Sequence, residues 1–221
     1  MPRLRLCFTV AAIAVVALVT APANAALTWA STNFSGETKP LQKTLLIAYA
    51  FKNTGDKPVA ILDVQTNCDC TAAATDKKVY QPGEAGTLNA QFTVGDRGGA
   101  YQRAITVLTD DGAAPQRLTL QIEVPELATV TPRVRDWAVG AAADEQTVDV
   151  LVHDAIRVNF AEVFVSAVGF AARVEPLEAG RRYRVFVKPV STAEATSAAI
   201  RLKGKAESGE VVIVSAYANV R

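Results

Sequence analysis

Along most of the chain apolar and polar residues alternate with a period of two, the pattern of a half-buried strand. "TLLIAYAFKN" (44–53), "PVAILDVQT" (58–66), "GTLNAQFTV" (86–94), "YQRAITVLT" (101–109) and "QRLTLQIEV" (116–124) are strands of ordinary length. Turn chemistry separates them: Asn53-Thr54-Gly55-Asp56-Lys57-Pro58, Gln81-Pro82-Gly83, Gly95 to Gly99, and Asp110-Asp111-Gly112. Nowhere does an apolar period of 3.6 persist. "VSTAEATSAA" (190–199) comes nearest, and its Thr and Ser content makes it a poor helix. The fold class is all-β. Short strands punctuated at these intervals predict a sandwich with Greek-key connections.

The second half repeats the style in "QTVDVLVHD" (146–154), "RVNFAEVFVS" (157–166), "FAARVEPL" (170–177), "RRYRVFVKP" (181–189), "AAIRLKGK" (198–205) and "EVVIVSAYANV" (210–220). A degenerate internal repeat accompanies it. Glu84-Ala85-Gly86 leading to Phe92 is echoed by Glu178-Ala179-Gly180 leading to Phe186, Ala104-Ile105 by Ala199-Ile200, and Val124 by Val220. The offsets are close to one sandwich in length, which predicts two tandem immunoglobulin-like sandwiches, residues 26–126 and 127–221. The join falls at "VPELATVTP" (124–132), where two prolines bracket the last strand of one and the first of the next.

The opening 25 residues stand outside this pattern. Arg3 and Arg5 precede an apolar run from Leu6 to Val19, and "APANA" ends at Ala25 with small residues at 23 and 25. That is the form of a cleaved signal peptide, residues 1–25, and predicts an extracytoplasmic protein, periplasmic or secreted. The run is short for a membrane span, which needs about 20 residues. Cys7 lies at the start of the apolar run rather than behind it, so it is no lipidation cysteine. Without these residues the chain carries 21 basic against 22 acidic side chains. A near-neutral chain with scattered charges offers no footprint for nucleic acid. No second apolar stretch approaches membrane length, so no membrane span is expected after residue 25.

Three motifs in the first half resemble a known family. "FKNTGDKPVAILDVQTNCDCT", "VYQPGEAGTLNAQF" and "RGGAYQRAITVLTDD" follow one another as in the secreted bacterial family catalogued as domain of unknown function 1573. That family shows Phe-x-Asn-Thr-Gly, then Cys-Gly-Cys-Thr, then Pro-Gly-Glu. The resemblance covers about residues 28–124 and implies an immunoglobulin-like fold and export, with no activity attached. Here Asp69 stands where the family has Gly.

Cys68 and Cys70 are the chemical candidates. On a regular strand residues i and i+2 share a face with Cβ atoms about 6.5–7 Å apart, too far for a disulfide's roughly 3.5–4.5 Å. A local bridge therefore requires a turn between them, for which Asp69 is the next best choice after Gly. Two thiolates also suit Cu(I), or half of a shared zinc site. A closed zinc site within one chain lacks ligands, since after residue 25 there is no other Cys, no Met and one His. The disulfide, copper, free-thiol and intermolecular readings all stay open. The matching stretch of the second half, "VFVSAVGFAA" (163–172), has no cysteine.

Elsewhere the chemistry is sparse. His153-Asp154 reads as a polar strand end, because neighbours on a strand point to opposite faces. Asp110-Asp111-Gly112 is a hairpin turn without the later ligands of a calcium loop. Trp29 and Trp137 fall near the start of each sandwich, where first strands would lie and core packing is expected. With no nucleophile, base and orienter to assemble, the expected function is a non-catalytic binding or structural module of the cell envelope. It needs no cofactor, and its partner is an envelope protein or polymer. The alternative is a thiol-redox or Cu(I)-handling protein using Cys68 and Cys70.

Overall fold

The computed structural model describes residues 26–221, and the signal-peptide reading of residues 1–25 lies outside them. The first half holds β1 (Leu27–Trp29), β2 (Asn33–Glu37), β3 (Thr44–Asn53), β4 (Val59–Thr66) and β5 (Thr71–Thr75). It continues with β6 (Val79–Tyr80), β7 (Ala85–Thr93), β8 (Gly99–Thr109) and β9 (Gln116–Val124). The second half holds β10 (Ala128–Thr131), β11 (Val134–Trp137), β12 (Gln146–Val152) and β13 (Val158–Val165). It ends with β14 (Phe170–Glu178), β15 (Arg182–Pro189), β16 (Thr196–Ala206) and β17 (Val211–Val220). The fold is all-β, and "VSTAEATSAA" is irregular up to β16 rather than helical.

Four sheets result. In the first half β1-β3-β7-β5 faces β2-β9-β8-β4-β6; in the second β10-β12-β15-β14 faces β11-β17-β16-β13. Each pair encloses its own apolar cluster, one drawn from Leu27 to Val124 and one from Ala128 to Val220. The alternation explains the burial: Ile47, Tyr49 and Phe51 point inward on β3, with Lys52 and Ala50 outward.

Without β6 the two halves share one topology. β2 runs parallel to β9, and β11 parallel to β17. β4 and β13 carry the same burial sequence apart from one position, and each has a register shift against its partner, after Ile61 and after Phe160. Ala104 and Ile105 of β8 take the places of Ala199 and Ile200 in β16, and Val124 and Val220 end the last strand of each half. One element of the expected repeat is not equivalent. Phe92 is buried opposite Thr71, whereas Phe186 lies on the outer face beneath the Arg173 guanidinium, 3.6 Å from its ring centre. The sheet period, not the Phe, sets the correspondence.

The motifs around Asn53 close one end of the first sandwich. Asn53 is fully buried, and its amide nitrogen donates to the carbonyls of Lys57 (2.8 Å) and Tyr80 (2.9 Å). Its side-chain oxygen accepts from the Gly55 amide at 3.0 Å. A buried amide is tolerated only when satisfied in this way. Gly86 is required by close packing, since a Cβ there would lie 2.4 Å from the Tyr80 ring and 2.5 Å from that of Phe51. Gly83 sits at φ 77° in the Pro-Gly-Glu turn, where Glu84 Oε2 accepts from the Gln81 amide at 2.8 Å. Trp29 packs on Phe51 with ring centres 4.7 Å apart, and Trp137 is buried against Phe170.

Candidate functional site

Cys68 and Cys70 lie in the corner where the chain leaves β4 for β5, crossing from one sheet of the first sandwich to the other. The corner is built by backbone. The Asn67 amide donates to the Ala104 carbonyl (3.2 Å), and the Asn67 side-chain oxygen accepts from the Ala104 amide (3.0 Å). The Thr71 amide reaches back to the Cys68 carbonyl at 3.1 Å, and the Thr93 amide to the Cys70 carbonyl at 2.7 Å. The two Cα atoms are thereby drawn to 5.2 Å, and the sulfurs lie at disulfide distance.

Asp69 does not need the freedom that sequence reasoning looked for. Leu41 is the only non-glycine residue at positive φ among the described residues, so Asp69 turns with an ordinary negative φ. The second sandwich shows the same. There the Ser166 amide donates to the Ala199 carbonyl (3.0 Å), and the Ser166 hydroxyl oxygen accepts from the Ala199 amide (2.8 Å). The Val190 amide donates to the Gly169 carbonyl at 2.9 Å. Ser166, Ala167, Val168 and Gly169 thus stand where Asn67, Cys68, Asp69 and Cys70 stand, and β-branched Val168 occupies the place of Asp69. The corner forms without sulfur.

One residue at the corner was missed from sequence. Arg103, half-buried on β8, directs Nε at Cys70 Sγ at 3.1 Å. Its Nη1 donates to the Gln102 carbonyl at 2.9 Å, and its guanidinium carbon lies 5.0 Å from the centre of the Tyr101 ring. Tyr101 in turn rests near Phe92, with ring centres 5.6 Å apart. Both cysteines are half-buried; Cys70 packs against the apolar cluster and Cys68 lies outside it. The internal repeat carried a signal for Arg103: its counterpart, one before Ala199, is Ala198, so arginine and cysteines are lost together.

Immediately beyond the corner, β5 forms an edge of its sheet. Its outward residues are Ala72 and Ala74, and the register sets out the face they belong to. Ala72 pairs with Gln91, which pairs with Leu46; Ala74 pairs with Asn89, which pairs with Ala48. This face is uncharged, and Leu46 is 74% exposed upon it. Small side chains leave a shallow hollow of about 430 Å³. The equivalent face of the second sandwich is covered by charge. Arg184 holds Asp149 through two contacts (2.7 and 3.1 Å), and Arg173 pairs with Glu145 and Glu175 while covering Phe186. Asp149 is held below the usual carboxylate range by the Arg184 hydrogen bonds.

The other sequence candidates are structural. His153 Nδ1 accepts from the Ala155 amide at 3.1 Å, and Asp154 pairs with Arg181 in the turn after β12. Asp111 accepts from Thr109 Oγ1 (2.7 Å), the Ala113 amide (3.2 Å) and the Ala26 amide (2.8 Å). Partial burial raises its pKa, yet these hydrogen bonds outweigh that and leave it below the usual range. Among the described residues there is no cluster of three or more His, Cys, Asp and Glu able to hold a metal. No helix among them is long and apolar enough to cross a membrane.

Residues 27–124 match the family described as "Protein of unknown function (DUF1573)". The first sandwich is a DUF1573 domain. Its three motifs are the buried Asn53 clamp, the cysteine corner and the Gly83 turn. No curated protein matches the chain. Among solved structures, a Vibrio cholerae VesB protease is similar at 10% identity and TM-score 0.36, over 45% of this chain and 32% of that one. The chain thus spans about a third of the protease's length. A Porphyromonas gingivalis protein of unknown function aligns over 87% of this chain and 99% of its own (12% identity, TM-score 0.33). The Pseudomonas aeruginosa CupB2 chaperone aligns over 86% and 99% (13% identity, TM-score 0.34).

Proposed function

We propose that the protein is an exported, non-catalytic binding module of the cell envelope whose DUF1573 domain takes an extended segment of a partner polypeptide along β5. The observation that carries this is the contrast between two equivalent faces. An exposed edge strand is a template for pairing with another chain, and proteins usually blunt it with charge. β14 carries Arg173 and Glu175 for that purpose; β5 carries Ala72 and Ala74. Main-chain hydrogen bonds would supply affinity, and the hollow beside Leu46 would select small apolar side chains at alternate positions of the added strand. In this reading each sandwich is an immunoglobulin-like domain, and the second is a spacer or separate contact rather than a second copy of the site.

The test is selection of a displayed random-peptide library on the full chain, followed by titration of the selected peptides against Ala74→Arg. Ala74→Arg places on β5 the charge that Arg173 places on β14, so the fold is preserved. Selected peptides with alternating small apolar residues, weakened at least tenfold by the substitution, support the proposal. Peptides that bind the variant equally, or no enrichment at all, overturn it.

A second reading, thiol chemistry at Cys68 and Cys70, is favoured by the Arg103 contact at Cys70 Sγ. It is compatible with the first, because the corner leads directly into β5.

A further inference from the structure

We propose that Cys68 and Cys70 form a thiol–disulfide exchange site in which Cys68 Sγ takes the incoming thiolate and Cys70 is the leaving sulfur, held by Arg103. The inference rests on the thiol reading and assigns the roles within it.

Two observations distinguish the two sulfurs, whose residues are both half-buried. Cys70 is packed against the apolar cluster and Cys68 lies outside it, so an incoming group reaches Cys68 first. Cys68 Sγ accepts from the neutral Cys70 amide at 3.0 Å, whereas Arg103 Nε lies 3.1 Å from Cys70 Sγ, where a permanent cation and an N–H donor stabilise a developing thiolate. Arg103 is not required by the fold. The same corner in the second sandwich is closed by Ser166 and Ala199 with Ala198 in the place of Arg103, and the cysteines are absent there too. Charge and sulfur occur together or not at all, as expected if the guanidinium serves the sulfur.

The chemistry balances with a partner dithiol as reductant. Its thiolate attacks Cys68 Sγ, the Cys68–Cys70 bond breaks, and the electron pair leaves on Cys70 as a thiolate beside Arg103. The second thiol of the partner, deprotonated, then attacks the partner sulfur of the mixed disulfide. The partner departs as a disulfide, and Cys68, released as a thiolate, takes up a proton. Two electrons pass from the partner dithiol to the cysteine pair. The same steps in reverse oxidise the pair and reduce a partner disulfide. A sulfur whose thiolate is stabilised is the better leaving group.

The experiment uses residues 26–221 reduced with dithiothreitol, freed of reductant anaerobically, and alkylated with limiting iodoacetamide across pH 5–10, with each cysteine read by peptide mass. Cys70 should be labelled with a midpoint about one pH unit or more below that of Cys68. Arg103→Gln should move the Cys70 midpoint up by about one unit, a tenfold loss of thiolate at low pH. Arg103→Lys, which keeps the charge, should restore much of it. The melting temperature should stay unchanged in both. Equal midpoints, or an Arg103→Gln variant that titrates as the parent does, overturn the assignment while leaving exchange itself in place. A pair that dithiothreitol does not reduce in the folded protein overturns the assignment and the thiol reading together.

Discussion

Replacing Asn53 by Ala tests the claim that a side-chain amide, not the cysteine pair, closes the first sandwich. The amide is fully buried and makes three hydrogen bonds, to Lys57, Tyr80 and Gly55. Lys57 is exposed and Gly55 partly so, and water can satisfy their freed groups. The Tyr80 carbonyl, on a residue with no exposure at all, keeps the ladder bond from Val59 opposite it but loses its second donor, with no water to replace it. A lost buried hydrogen bond costs about 0.5–1.5 kcal/mol, and losing the turn contacts costs on the order of 1 kcal/mol more. The expected loss is therefore about 2 kcal/mol, a substantial part of the roughly 5–15 kcal/mol typical of a domain. Urea denaturation followed by circular dichroism on the full chain measures it. Asn53→Asp is the control: it has the same shape and keeps an acceptor for Gly55, but it faces two carbonyls with no donor, so it should lose at least as much. A change below about 1 kcal/mol in either variant would refute the reasoning.

Other outcomes follow from the same geometry. Cys68→Ala should cost little stability, because loop-closure arguments give least for the shortest loops and the second sandwich makes the same corner without sulfur; urea midpoints of parent and variant check this. Asp111 has a depressed pKa, so its contribution is present above the ordinary carboxylate range and is lost as pH falls through its folded value. Asp111→Asn should accordingly flatten the acid limb of stability below about pH 4 and lower stability at pH 7, read by thermal melts across pH. Residues 26–126 alone should melt cooperatively, because one apolar cluster lies wholly within Leu27–Val124; a fragment that stays unfolded under conditions where the whole chain folds would contradict this.

Much of the fold was legible in sequence because strand alternation is strong wherever one face is buried. β3, β4, β7, β8 and β9 were visible as period-two runs, and so were their counterparts after residue 145. The short strands β1, β2, β5 and β6 were not. Two to five residues hold too few alternations to register, and in β5 the sequence Thr-Ala-Ala-Ala-Thr has no polar side to contrast with its apolar one. The cysteine corner was legible as a turn, yet its geometry was misjudged: Asp69 needs no left-handed backbone, as Val168 shows at the same place. Arg103 lies 33 residues beyond Cys70 and became visible only when β8 was laid against the corner. The bare face of β5 was hidden for a related reason. Its rows combine Leu46, Gln91 and Ala72, or Ala48, Asn89 and Ala74, from three separated strands, and only strand register assembles them.

The central claim is that β5 and the face beside it receive a partner strand. Backbone amide chemical shifts of the isotope-labelled full chain, recorded with and without a selected peptide, test it most directly. Perturbations should be confined to residues 71–75, 89–91 and 46–48, with the β5 amides gaining protection from exchange and β14 unchanged. Perturbations centred on the second sandwich, or on the first sandwich away from β5, would contradict it.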